Sequence, residues 1–203
     1  MTNFGSVTTA PARRARVRTH PLAGSGPIVD RARQALRYTA AQFGTVVAHD
    51  QTSVTARAAD GLEVVLSYEP GNYVFSRVYA LTITAQLPAA SGVPRGVKLS
   101  HRGAPRGGTF VADRGATPRS AALTRLNEAV APHLGTVDMV RASTSHDGAR
   151  TLTLSPMGGA YVWVLIPPVF KATAFPAGEP DRLLDLIRAA QRLGSPASHS
   201  PSV

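Results

Sequence analysis

Arg95, Lys98, Arg102, Arg106, Arg114 and Arg119 crowd into the segment 95–119, whose only acid is Asp113. Cations gathered at that density without carboxylates attract anions, either the phosphates of a nucleic acid or the carboxylates of an acidic protein. A second basic run, Arg13, Arg14, Arg16 and Arg18, stands in the first twenty residues with no acid beside it. The formal net charge is +10, and outside these two segments basic and acidic residues nearly balance. The six residues of 95–119 are therefore the candidate anion contact. The competing reading is a Gly- and Pro-rich linker whose arginines reflect composition alone. Acid depletion confined to just two segments argues against composition as the whole cause.

Other reactive residue types give weaker patterns. Ser145-His146-Asp147 has the residues of a nucleophile, base and orienter, but neighbours in a turn point apart, and a triad is assembled in space. The histidines His20, His49, His101, His133, His146 and His199 include no pair at the i, i+4 spacing of a zinc helix. Gly103, Gly107 and Gly108 lie among arginines without the Gly-Lys-Ser/Thr of a phosphate loop. Tyr73, Phe75, Arg77 and Tyr79 would form an aromatic-basic stripe on one strand face, able to stack bases on an open sheet. Because Leu81 and Ile83 continue that face, it reads better as core. No cysteine is present, which rules out disulfides and thiol chemistry and fits a reducing, cytoplasmic setting. No cofactor loop, paired carboxylates or activated nucleophile can be nominated, so the chemistry leans away from an enzyme. No apolar run approaches the roughly 18–20 residues of a membrane helix.

The elements that would position these residues follow from periodicity. Ile28, Ala32, Ala35, Leu36, Ala40 and Phe43 fall on one face of a helix from Pro27 to Phe43, with Gly44 beyond it. Thr45–Arg57, with a candidate break near His49-Asp50, Leu62–Tyr68 and Tyr73–Leu87 read as strands, with an Asp60-Gly61 hairpin signal and a Glu69–Asn72 turn. A second helix begins at Thr117-Pro118, buries Leu123, Leu126, Val130 and Leu134, and stops at Gly135. Strands Thr136–Ser145, Arg150–Ser155 and Ala160–Ile166 follow, and Tyr161–Ile166, apolar on both sides, reads as a central strand. The helix at 179–193 has acids near its start and arginines near its end.

Phe43-Gly44-Thr45-Val46 matches Leu134-Gly135-Thr136-Val137, and Tyr73-Val74-Phe75 matches Tyr161-Val162-Trp163. Asp60-Gly61 and Asp147-Gly148 stand between them in the two copies. The expectation is an α+β fold: an internal duplication of a helix plus three antiparallel strands, helices on one face, and an extra C-terminal helix. Residues 1–24 are expected to be a disordered basic tail and 195–203 a polar one. Between them, 25–194 form one domain: repeat one (27–87), a basic connecting loop (88–116), repeat two (117–166) and the closing helix. Short extended pieces are expected within the loop at Val97–Ser100 and Thr109–Ala112. Leu36, Phe43, Leu66, Leu126, Leu134, Leu154 and Trp163 are the expected core. The functional expectation is a non-enzymatic binding protein that contacts nucleic acid or an acidic protein through its basic tail and loop. The alternatives are an assembly module using its sheet face or edge, including as a homodimer, and a small-ligand protein with a site at the junction of the repeats.

Overall fold

The computed structural model describes residues 20–72, 76–103, 107–164 and 169–193. Its elements are α1 (Pro27–Ala40), β1 (Thr45–His49), β2 (Ser53–Arg57), β3 (Glu63–Asn72), β4 (Ser76–Gln86), β5 (Val97–Ser100) and β6 (Thr109–Ala112). They continue with α2 (Ser120–Leu134), β7 (Met139–Thr144), β8 (Thr151–Pro156), β9 (Tyr161–Val164), β10 (Val169–Ala172) and α3 (Glu179–Arg192). The ten strands form one antiparallel sheet in the order β1-β2-β3-β4-β8-β7-β5-β6; β9 also pairs with β4, and β10 with β9. The fold is therefore α+β. Among the described residues no helix is long and apolar enough to cross a membrane.

The core is built in rows across the sheet. Register places Val54, Leu66, Ile83, Leu154 and Ala142 side by side on five strands. Ala56, Val64, Ala85, Leu152 and Thr144 form the next row. All ten are buried, because alternate residues of each strand share one face and that face meets the helices. Ala32, Leu36 and Ala40 of α1, Leu126, Val130 and Leu134 of α2, and Leu183, Leu186 and Ile187 of α3 close the same cluster. The two outer ends of α3 are tied to the sheet. Buried Glu179 accepts the Asp138 N–H at 2.9 Å, and Gln191 donates to the Gln86 carbonyl at 2.7 Å.

Several sequence expectations change. The run 45–57 is two strands, divided at the candidate break near His49-Asp50, because the Asp50 carboxylate accepts from the Thr52 and Ser53 N–H groups at 2.6 and 2.7 Å and closes a turn. These bonds hold Asp50 down at about pKa 2. Six strands, β1–β6, lie between α1 and α2, and four, β7–β10, between α2 and α3, where three were expected after each helix. The presumed connecting loop carries the β5–β6 hairpin, at just the two extended pieces expected there. β9 is central in the sheet, with β4 paired along one edge and the short β10 along the other, but it is not covered on both faces: Val162–Val164 are half-buried, and the expected continuation to Ile166 lies outside the described residues. Trp163 accordingly lies half-buried against Phe170 instead of in the core, and Arg31 stacks over that Phe170 ring. Order reaches further toward the N-terminus than residue 25. Leu22 is fully buried, its carbonyl held by Arg33 at 2.5 Å, and His20 meets Ser67 at 3.1 Å.

The duplication is not confirmed. Asp60-Gly61 and Asp147-Gly148 each lie in a turn between paired strands, β2–β3 and β7–β8, but the first is the second hairpin after α1 and the other the first after α2. Gly44, however, lies beyond α1 with φ +140°, whereas Gly135 caps α2 directly with φ −69°. Tyr73, Val74 and Phe75 lie outside the described residues, so the Tyr73–Tyr161 pairing is not visible. Tyr79, Leu81 and Ile83 do face the core, as their alternation predicts.

The break between β8 and β9 has a steric cause. A Cβ on Gly158 would stand 2.4 Å from the Phe175 ring, and one on Gly159, which has φ +72°, 2.7 Å from Leu81. The two glycines let Phe175 close over the sheet, edge to face with Phe43 at 5.6 Å between centroids. Tyr68 donates to the Gly159 carbonyl at 3.1 Å, and burial pushes its phenol up to about pKa 12.

Two stability predictions follow from this packing. Leu36→Ala and Leu126→Ala, each at a fully packed position, should each lose about 2–5 kcal/mol in urea melts; losses under about 0.5 kcal/mol would place them at the surface. Gly158→Ala should lower the melting midpoint through about 1–3 kcal/mol of overpacking, less than the core truncations. An unchanged midpoint would show that Phe175 is not held against this position.

Candidate anion-binding cleft

A cleft of about 650 Å³ opens where three segments meet: the chain before β5, the chain between β6 and α2, and the β7–β8 turn. Gly96 brings them together. Its φ is +64°, and a Cβ there would stand 2.5 Å from that of Ala116 and 3.0 Å from the His146 ring. Its N–H reaches the Ser145 carbonyl at 3.3 Å, and its own carbonyl accepts the Asp113 N–H at 2.8 Å. Beneath, buried Thr144 accepts the Val97 N–H at 3.2 Å and donates to the Pro94 carbonyl at 2.9 Å.

The polar lining is Arg95, Thr117, Arg119, His146, Asp147 and Arg150. The guanidinium of Arg95 donates to the Gly148 carbonyl at 3.0 Å and the His146 carbonyl at 3.4 Å. Arg150 donates to the carbonyls of Ser91 and Val93 at 2.9 and 2.5 Å, and its buried Nε has no hydrogen-bond partner. Carbonyls fix these side chains without cancelling their charge. Among the described residues no carboxylate lies within ion-pair distance of Arg95, Arg119 or Arg150. Arg119 is exposed at the start of α2, whose first turn has no side-chain cap. Thr117, expected to cap that helix, instead lines the cleft three residues earlier, and Arg119 is extended. The amino end of α2, with its partial positive charge, therefore borders the same cleft.

Asp113 stands at the rim. It pairs with Lys98 at 2.8 Å and meets His146 at 3.3 Å, and its carboxylate accepts the Arg114 N–H at 2.8 Å. Lys98 first, then that N–H, hold its carboxyl well below the usual range. The one acid of the segment thus offsets Lys98, not the arginines inside the cleft.

The six candidate residues fall in different places. Arg95 and Arg119 line the cleft; Lys98 and Arg114 flank Asp113. Arg102 is exposed in the hairpin tip, at the far end of four-residue strands about 13 Å long. Arg106 lies outside the described residues, as do the arginines of residues 1–19. Sequence reasoning missed Arg150, which sits where charges balance along the chain and is brought in only by the β7–β8 hairpin. It also met His146 only as part of Ser145-His146-Asp147. In the structure Ser145 Oγ donates to the Ala149 carbonyl at 2.7 Å and accepts the Thr151 N–H at 3.1 Å, while His146 turns to Asp113. That triplet staples a turn and does not assemble a triad.

No curated protein and no solved structure matches the chain. Residues 41–194, well over half of its length and spanning every strand of the sheet and the whole cleft, match the family described as "Protein of unknown function (DUF3156)", and the chain belongs to that family.

Proposed function

We propose that this protein is a binding protein for a polyanion, which it engages at the cleft formed by Arg95, Arg119 and Arg150. The observation that carries this reading is the mode of holding. Two guanidiniums are oriented by main-chain carbonyls, the third is exposed, and none is paired with a carboxylate among the described residues. Charge preorganised in this way is available to an incoming oxyanion, and the amino end of α2 adds to it. Apart from His146 the lining holds no aromatic ring on which a base could stack. The contact would then be to backbone phosphates or to carboxylates, without reading a base sequence. The basic tail and the hairpin tip would extend the same electrostatic footprint.

The test is a titration of the whole protein with duplex DNA, single-stranded DNA and polyglutamate over a range of salt concentrations. Duplex binding should weaken steeply with salt, and Arg119→Ser should reduce the slope by about one unit. Arg102→Ser, at the hairpin tip, should change it less. Asp113→Asn removes one carboxylate from the rim, while Asp147 stays in the lining, and should tighten binding by roughly threefold, the order of one screened charge in water. Polyglutamate binding alone would identify an acidic protein as the partner class. Affinity indifferent to salt and to Arg119 would sink the proposal.

A further inference from the structure

Strand β10 is an edge of the sheet: it pairs with β9 alone, and three of its four residues are exposed. The Thr173 N–H donates to the Ala160 carbonyl at 2.7 Å, so Thr173 turns its main chain toward β9. Alternation along an antiparallel ladder then turns the N–H and C=O groups of Phe170 and Ala172 outward, where no strand meets them among the described residues. Two other edges of the sheet are blunted. Asn127 of α2 occupies the N–H and the carbonyl of Phe110 on β6, at 2.7 and 3.0 Å, and β1 carries a bulge between Val46 and Ala48.

A groove runs beside this edge, between α1 and the segment 172–174. Arg31, Gln34, Tyr38 and Gln42 line it at helical spacing from α1 and the turn after it, and Tyr38 is 68% exposed. Tyr161 stands opposite groove-lining Ala172 in the β9–β10 register. It is 4% exposed, and its hydroxyl has no hydrogen-bond partner among the described residues. Burial raises that phenol's pKa, and the nearby charge of Arg31 pulls it back. A buried hydroxyl left unmet is costly, and a polar group entering the groove would relieve the cost. The surroundings are cationic. Arg31 lies over the Phe170 ring at 4.7 Å, and Lys171 is exposed on the other face of β10. Neither has a carboxylate within ion-pair distance among the described residues; Asp30, next to Arg31, pairs with Arg33. Two copies joined edge to edge about a two-fold axis would set these cations against their own likes, whereas an acidic strand meets them with the opposite sign.

We infer that the free edge of β10 and the groove beside it are a docking site for an extended acidic peptide of a partner protein, which adds to the sheet as a further strand. Its main chain exchanges hydrogen bonds with Phe170 and Ala172, and its side chains alternate between the groove and Lys171. An acid opposite Lys171 sets the register. This site is separate from the arginine cleft, which no residue of α1 or β10 lines. The test is a titration of the full chain with a fluorescein-labelled peptide that alternates glutamate and valine, beside its lysine–valine counterpart. Label anisotropy gives the affinity. Emission of Trp163, the chain's single tryptophan and stacked on Phe170, reports docking at β10. The glutamate peptide should bind and shift that emission, and the lysine peptide should do neither. Lys171→Glu should weaken binding roughly fivefold, by making one attractive cross-strand pair repulsive. Ala172→Pro removes one outward N–H while sparing the ladder to β9, and should weaken binding by a similar factor. If that variant fails to fold, the peptide supplies the same test: N-methylated throughout, it keeps its charge, loses its main-chain donors and should not bind. An unbound glutamate peptide, or equal binding of its methylated form, would overturn the inference. So would binding lost in Arg119→Ser and kept in Lys171→Glu, which would seat the peptide in the cleft.

Discussion

Ile83 sits between Leu66 on β3 and Leu154 on β8, and that three-strand contact makes one protein out of two sets of hairpins. Everything N-terminal to β4 is a meander that could close on α1 alone. Everything after the β5–β6 hairpin is a second meander with α2. The pairings of β4 with β8 and with β9 join them, and α3 closes the same buried cluster. The loop closed is long, since residue 83 must find residue 154, and such non-local pairing carries an entropic cost that apolar burial must exceed. It does so with fully buried aliphatic residues in both adjoining rows.

That junction also divides the two faces of the sheet. Inward positions bring helices, burial and the aromatic closure at Phe43 and Phe175. Outward positions at the same strands bring threonine, serine and matched ion pairs. Surface pairs of this kind contribute little stability each. Their consequence here is electrostatic: they pair off the charges of the strands that carry them. Uncompensated positive charge lies in the cleft where Gly96 lets three segments approach.

The sequence was readable where a signal is local. Helices α1 and α3, the Asp-Gly turns, the alternation of β3 and β4 and the extended pieces at β5 and β6 are all carried by spacing within a dozen residues. Two features were not. The interruption at Gly158 depends on Phe175, which arrives from beyond β10. The cleft depends on Arg150 meeting Arg95 and Arg119 from a distant hairpin, and a tally of charge along the chain dilutes that arginine among its acidic neighbours. The apparent repeat shows the opposite error: similar phrases at Gly44 and Gly135 fall at different backbone conformations, so likeness of local sequence did not carry likeness of place.

The cleft opens at the base of the β5–β6 hairpin and beside the amino end of α2, a helix on the core side of the sheet. Lys98 and Asp113 at its rim already satisfy one another. The charge left to meet an anion is that of arginines whose guanidiniums main-chain carbonyls already hold. Side chains fixed in advance lose little freedom when a ligand arrives, so the cost of ordering the site falls on the fold and not on binding.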